Sequence, residues 1–173
     1  MQERINYYVQ QVMDASVGTK GEGAYLLDLK IKGPASRRKI ELLFDTDTGI
    51  RIDQCAYLSR RLRERLEADE ELMGVLGEDF ELLVSSPGLG EPILMARQYS
   101  RHLNRLLQLT YTGDAGEPIE LKGRLLEVSL ADERGGRIVI MPEKNKKGGR
   151  QTKVESITLY LDQVTRAVPE AEL

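Results

Sequence analysis

Tryptophan is absent from these 173 residues and phenylalanine occurs only twice, so any core the chain builds must be filled mainly by aliphatic side chains. A single cysteine, Cys55, excludes an internal disulfide. A single histidine, His102, with no Cys or His nearby in sequence, gives no basis for a zinc site, and no structural metal is expected. No apolar run approaches the ~18 residues of a membrane span. Met1-Gln2-Glu3-Arg4 lacks the basic-then-apolar plan of a signal peptide, so the expected location is the cytoplasm, away from any membrane. Groups for chemistry are equally scarce. The glycines form no phosphate-loop or dinucleotide fingerprint, the serines form no nucleophile elbow, and His102 is better suited to packing or solvation than to acting as a base. The expectation is no catalysis, no small-molecule substrate and no cofactor.

What the chain does contain is globular in character, with 40% hydrophobic and 31% charged residues, enough for one ordinary domain or two small ones. The net charge of −3 hides an asymmetry. Residues 1–96 carry 12 Lys and Arg against 17 Asp and Glu, a net of −5, while residues 97–173 carry 13 against 11, a net of +2. An acidic first half argues against a nucleic-acid coat over the whole surface; a mildly basic second half permits local phosphate contacts.

In the first half, Ile5, Tyr8, Val9, Val12 and Met13 recur at helical spacing, and Val17–Gly23 reads as a glycine-rich loop. Tyr25, Leu27, Leu29 and Ile31 alternate with polar residues as in a half-buried strand. Gly33–Ser36 turns the chain into a second strand, Lys39–Phe44, leaving Arg37, Arg38 and Lys39 at the hairpin tip. Asp45-Thr46-Asp47-Thr48-Gly49 has the spacing that opens a calcium loop. It fails as one because a strand precedes it and the twelfth loop position is Ala56. Asp53 is the expected N-cap of a helix with Cys55, Leu58, Leu62 and Leu66 along one stripe. Arg60, Arg61, Arg63 and Arg65 flank that stripe and could form a phosphate-binding ridge, but Glu64, Glu67, Asp69, Glu70 and Glu71 lie close enough to neutralise much of it, which puts structural or solvated roles ahead. Met73–Gly77 is expected as a loop and Phe80–Val84 as a buried strand. Two helices over one face of a three-stranded sheet make a small α+β layer.

Val84-Ser85-Ser86-Pro87-Gly88-Leu89-Gly90-Glu91-Pro92 then breaks the pattern. Pro87-Gly88 predicts a type II turn with Gly88 at positive φ, and Ser85 and Ser86 are left either to cap backbone amides or to face a partner. The boundaries that follow are a first domain over 1–86, a joint over 87–96 and a second domain over 97–173. In the second, Arg97–Asn104 reads as a helical turn with Asn104 left-handed before a strand. Strands are expected at Leu107–Tyr111, Ile119–Leu130 with a bend or bulge at Gly123, Arg137–Met141, Lys153–Leu159 and Val164–Val168. A 3₁₀ turn is expected at Leu161–Gln163 and a frayed tail at Pro169–Leu173. Five short strands suggest a small antiparallel barrel. Between two of them, residues 143–153 hold Lys144, Lys146, Lys147, Arg150 and Lys153 against the single acid Glu143. Such a loop is either a soluble, edge-protecting hairpin or a finger for phosphates. With no aromatic residue for base stacking, a finger of this kind would grip backbone and not read sequence.

Val84-Ser85-Ser86-Pro87-Gly88-Leu89 followed by Pro92 resembles the Val-Ser-Ser-Pro-Gly-Leu-Asp-Arg-Pro segment of the bacterial ribosome maturation factor RimP family. Ile50-Arg51-Ile52-Asp53 with Leu58-Ser59-Arg60 is similar to that family's segment before and within its second helix. The resemblance implies an α/β first domain and an SH3-like barrel in the second. It also implies a non-catalytic factor that binds the free or maturing small (30S) ribosomal subunit and promotes its assembly. The implied partners are ribosomal RNA and a ribosomal protein near the decoding region, met by a monomer. Ser85, Ser86, Pro87, Gly88 and Leu89 would hold the partner, and Lys144, Lys146, Lys147, Arg150 and Lys153 would neutralise RNA phosphates. Gly90-Glu91 stands where relatives have Asp-Arg, so an ion pair or RNA contact through that arginine does not carry over. The alternative is a cytosolic adaptor whose barrel binds a peptide segment.

Overall fold

The computed structural model describes residues 1–88, 90–131, 133–144 and 154–172. The chain forms two compact units, Met1–Pro87 and Gly88–Leu173. The first contains α1 (Gln2–Asp14), β1 (Tyr25–Lys32), β2 (Lys39–Asp45), α2 (Ile52–Glu67), α3 (Glu70–Leu76) and β3 (Glu81–Ser85). Its sheet runs β1-β2-β3, antiparallel between β1 and β2 and parallel between β2 and β3. The parallel pair follows from the connection, because α2 and α3 lie between those strands and supply the crossover that parallel pairing requires. Ile5, Val9 and Val12 of α1, Leu58, Leu62 and Leu66 of α2, and Leu72 and Leu76 of α3 close over Ile40, Leu42 and Phe44 of β2.

Four local expectations change. The segment read as a loop at Met73–Gly77 belongs mostly to α3. Asp69 caps this helix by accepting the Leu72 N–H at 3.0 Å, and it ends at Gly77, whose φ is 88°. The N-cap of α2 is Arg51, not Asp53, with the Gln54 side chain accepting the Arg51 N–H at 3.0 Å. The third strand starts at Glu81 rather than Phe80, and it is not buried, with Glu81 and Leu83 exposed. In β1, Leu26 pairs with Phe44 and Asp28 with Leu43, so Leu27 is the extra residue of a bulge. The bulge resets the alternation, and Leu26, Leu29 and Ile31 pack on the core while Leu27 does not.

The second unit opens with a 3₁₀ helix, Ala96–His102, followed by Asn104 at φ 64°, the left-handed conformation the sequence predicts there. Then come β4 (Leu106–Thr112), β5 (Pro118–Ser129), β6 (Arg137–Pro142), β7 (Ile157–Tyr160), a 3₁₀ turn Leu161–Gln163 and β8 (Val164–Pro169). These form a fully antiparallel five-stranded sheet in the order β7-β6-β5-β4-β8, the strand complement expected of the SH3-like barrel. Its core is Tyr99, Leu107, Leu109, Leu125, Ile138, Ile140, Leu159 and Ala167.

Gly123 is not the bulge. Register runs through it to both neighbours, and the shift falls between Leu125 and Glu127. Glycine is required at 123 for space, since a Cβ there would enter the Ile140 side chain and lie 2.7 Å from the Met141 carbonyl oxygen. Residues Val154–Ser156 are not strand, and the expected strand start at Lys153 lies outside the described residues. The tail is tied down, not frayed, as far as Glu172. Glu170 donates its N–H to the Leu106 carbonyl at 3.0 Å, Lys122 pairs with Glu170 at 2.6 Å, and Arg124 pairs with Glu172 at 2.7 Å.

Candidate partner-binding site

Strand alternation decides where Ser85 points. Leu82 and Val84 pack on the core, so Glu81, Leu83 and Ser85 occupy the opposite face of the sheet. Across that face, register aligns Asp28, Leu43 and Ser85 in one row, and Lys30, Glu41 and Leu83 in the next. Together they line a shallow cleft of about 220 Å³. Leu83 is 47% exposed. Charges flank it in opposed pairs, Lys30 with Asp28 at 3.4 Å and Glu41 with both Lys32 at 2.8 Å and Lys39 at 3.3 Å. Lys32 first, then Lys39, hold the Glu41 carboxyl below the usual carboxylate range.

Ser86 is exposed, Pro87 half-buried and Gly88 exposed; Leu89 lies outside the described residues. Neither serine hydroxyl makes a hydrogen bond among the described residues, so the capping role is not taken up and both oxygens remain available. The turn falls later than the sequence suggests. Gly90, not Gly88, has positive φ, at 84°, and the Glu91 N–H donates to the Gly88 carbonyl at 3.3 Å.

The basic segment leaves β6 at Pro142. The Glu143 N–H donates to the Lys122 carbonyl at 2.9 Å, and its carboxylate lies 3.7 Å from the Lys122 ammonium. The one acid of the loop is thereby drawn back to β5, while Lys144 is exposed. Lys146, Lys147, Arg150 and Lys153 lie outside the described residues.

Most of the other clustered basic residues are engaged internally, Arg60 being exposed without an ion pair among the described residues. Arg37 pairs with Glu81 at 3.1 Å and Arg38 donates to the Gly33 carbonyl at 2.6 Å. On α2, Arg61 pairs with Glu64 and lies 5.4 Å from the Tyr57 ring centroid, Arg63 pairs with Glu67 and lies 4.8 Å from that of Phe80, and Arg65 donates to Gln11 at 2.6 Å. Asp45 is fully buried and accepts the Thr46 N–H at 2.9 Å, so its carboxylate organises the loop from inside. Burial, then Asp45 and Asp53, push the Cys55 thiol up, which favours an unreactive, protonated sulfur. His102 is buried and accepts a hydrogen bond from Arg101 Nε at 3.1 Å. Sequence reasoning missed Leu43 and Leu83 as surface. The signal was there in parity, because Leu83 is two residues from Ser85 and shares its face.

The fold defines a class, a mixed α+β chain in which a helix-backed three-stranded layer is followed by a five-stranded antiparallel sheet. Residues 17–90 match the family model described as the RimP N-terminal domain. Over all 173 residues, covering both chains completely, the sequence is 62% identical to the ribosome maturation factor RimP of Pelodictyon phaeoclathratiforme and 54% identical to that of Chlorobium phaeovibrioides. It is 33% identical to the factor of the same name from Cytophaga hutchinsonii over 135 residues, 78% of this chain and 75% of the relative. The chain belongs to the RimP family of ribosome maturation factors.

Proposed function

We propose that this protein acts in the cytoplasm as a non-catalytic, monomeric factor that binds the free or maturing small ribosomal subunit and promotes its assembly. The observation that carries the reading is full-length identity to proteins named ribosome maturation factor RimP. Two features support it. Ser85 and Ser86 offer unused hydroxyls at the end of β3, beside Pro87 and Gly88, where with Leu89 they would hold a ribosomal protein near the decoding region. Lys144 is exposed at the root of the segment holding Lys146, Lys147, Arg150 and Lys153, which would neutralise ribosomal RNA phosphates. Phosphate contacts of this kind fix position without reading bases. Among the described residues no helix is long and apolar enough to cross a membrane.

Co-sedimentation with separated small subunits, large subunits and joined ribosomes tests the reading. Selective binding to free small subunits is expected, with log affinity falling by roughly 3.5 to 4.5 per tenfold rise in salt if about five phosphates are contacted. Binding to none of the three particles by a folded sample would put the peptide-binding adaptor reading first.

A further inference from the structure

The second unit carries an apolar groove of about 400 Å³ lined chiefly by Ile93, Leu94, Met95, Tyr99, Leu161 and Val164. Leu94 is 54% and Met95 42% exposed, and both are held outward from beneath. Their N–H groups donate to Gln98 Oε1 at 2.7 and 2.9 Å, the Gln98 side chain is buried, and the Ile93 N–H donates to the Ala167 carbonyl at 2.8 Å. A segment pinned this way has little backbone ordering left to do on binding.

A second, polar cleft of about 450 Å³ is lined by Thr112, Gly113, Asp114, Arg134, Asp162 and Gln163. Arg134 and Asp162 line both clefts, so their 2.8 Å ion pair is a shared wall. Arg134 is fixed at φ 59°, a left-handed conformation uncommon for a residue with a Cβ, and its guanidinium lies 4.4 Å from the Tyr160 ring centroid. Asp114 makes no ion pair among the described residues. Two carboxylates against one guanidinium leave the polar cleft net negative. That repels nucleic-acid phosphates and attracts a cation.

We propose that this double cleft docks an extended, basic protein segment, with a large apolar side chain between Leu94, Met95 and Leu161 and a Lys or Arg a few residues along it between Asp114 and Asp162. Leu94 and Met95 supply an adaptable hydrophobic wall, and the fixed Arg134–Asp162 pair sets the spacing between anchor and cation. The proposal deepens the subunit-binding reading by naming the class of polypeptide recognised, and it rests on that reading only for where such a segment would come from.

The test is selection of a random nonapeptide display library on the full-length protein. The expected result is enrichment of peptides pairing a large apolar residue with a nearby Lys or Arg. Their affinity should fall about tenfold or more on Met95→Asp, which alters an exposed side chain, and the cation preference should turn to acidic residues on Asp114→Lys. No enrichment, an acidic or purely apolar consensus on the unaltered protein, or equal binding by both variants would overturn the proposal. Self-association abolished by Met95→Asp, or an oligouridylate shifting the Leu94 and Met95 methyl resonances, would also overturn it by naming another occupant. Sedimentation with small subunits is scored separately, so the two readings fail independently.

Discussion

The two units both fill their cores mainly with aliphatic residues but put their ion pairs to different uses. In the first, basic residues are turned back on neighbouring acids: Arg4 on Asp69 and Glu71, Lys32 and Lys39 on Glu41, Arg37 on Glu81, Arg61 on Glu64 and Arg63 on Glu67. In the second, the pairs fasten an end or a loop, Lys122 to Glu170, Arg124 to Glu172 and Arg134 to Asp162, while Lys144, Arg105 and Arg166 stay exposed without an ion pair among the described residues. Exposed pairs contribute only about 0–1 kcal/mol each, so their main effect in the first unit is neutralisation. Lys20 and Arg60 are also exposed in the first unit without an ion pair among the described residues, so the contrast is one of proportion.

The largest effect should come from the cores. Phe44→Ala in the first unit should cost about 3–5 kcal/mol and Leu107→Ala in the second about 2–5 kcal/mol, both being fully buried. Amide hydrogen exchange should show protection lost mainly in the unit that carries the change; equal loss in both would mean that the units do not unfold separately. Next comes the charge contrast itself. Replacing Lys144, Lys146, Lys147 and Arg150 together by Ala should reduce the salt slope of small-subunit binding by roughly 3. Replacing Arg60, Arg61, Arg63 and Arg65 should change it by less than about 1, and a larger change would place α2 on the RNA. Gly123→Ala should cost about 1–3 kcal/mol through overpacking against Ile140 and Met141, read from urea midpoints. A neutral result would show that β5 and β6 can separate there without loss.

The smallest effect is at acid pH. Asp69, buried at the α3 N-cap, accepts from Tyr8 Oη at 2.7 Å, the Leu72 N–H and the Arg4 guanidinium, and these hold its carboxyl below the ordinary range, Tyr8 foremost. A depressed folded value contributes stability that is present above the unfolded carboxylate value of about 4 and is lost as pH falls through the folded one. The first unit should therefore weaken below about pH 4, and Asp69→Asn, which keeps a capping oxygen, should flatten that acid limb. An unchanged limb would shift the acid sensitivity to other groups, Glu41 first.

How much of this was legible follows from the range of the interactions involved. The sequence by itself determined α1, the apolar stripe of α2, most of the strands of the second unit and the left-handed Asn104, because periodicity and φ preference act over a few neighbouring residues. It also placed Ser85 and Ser86 at a strand end and brought the basic residues of 143–153 into one segment. Only the tertiary structure decided that Leu27 would bulge out of register, that β3 would run parallel to β2, and that Gly123 answers to Ile140. It alone decided, too, that Glu170 and Glu172 would fasten the tail and that Leu83 would come to lie beside Leu43. Each of these depends on residues far apart in the chain meeting across a sheet, and a packing constraint of that kind leaves no mark within the local window where sequence patterns are read.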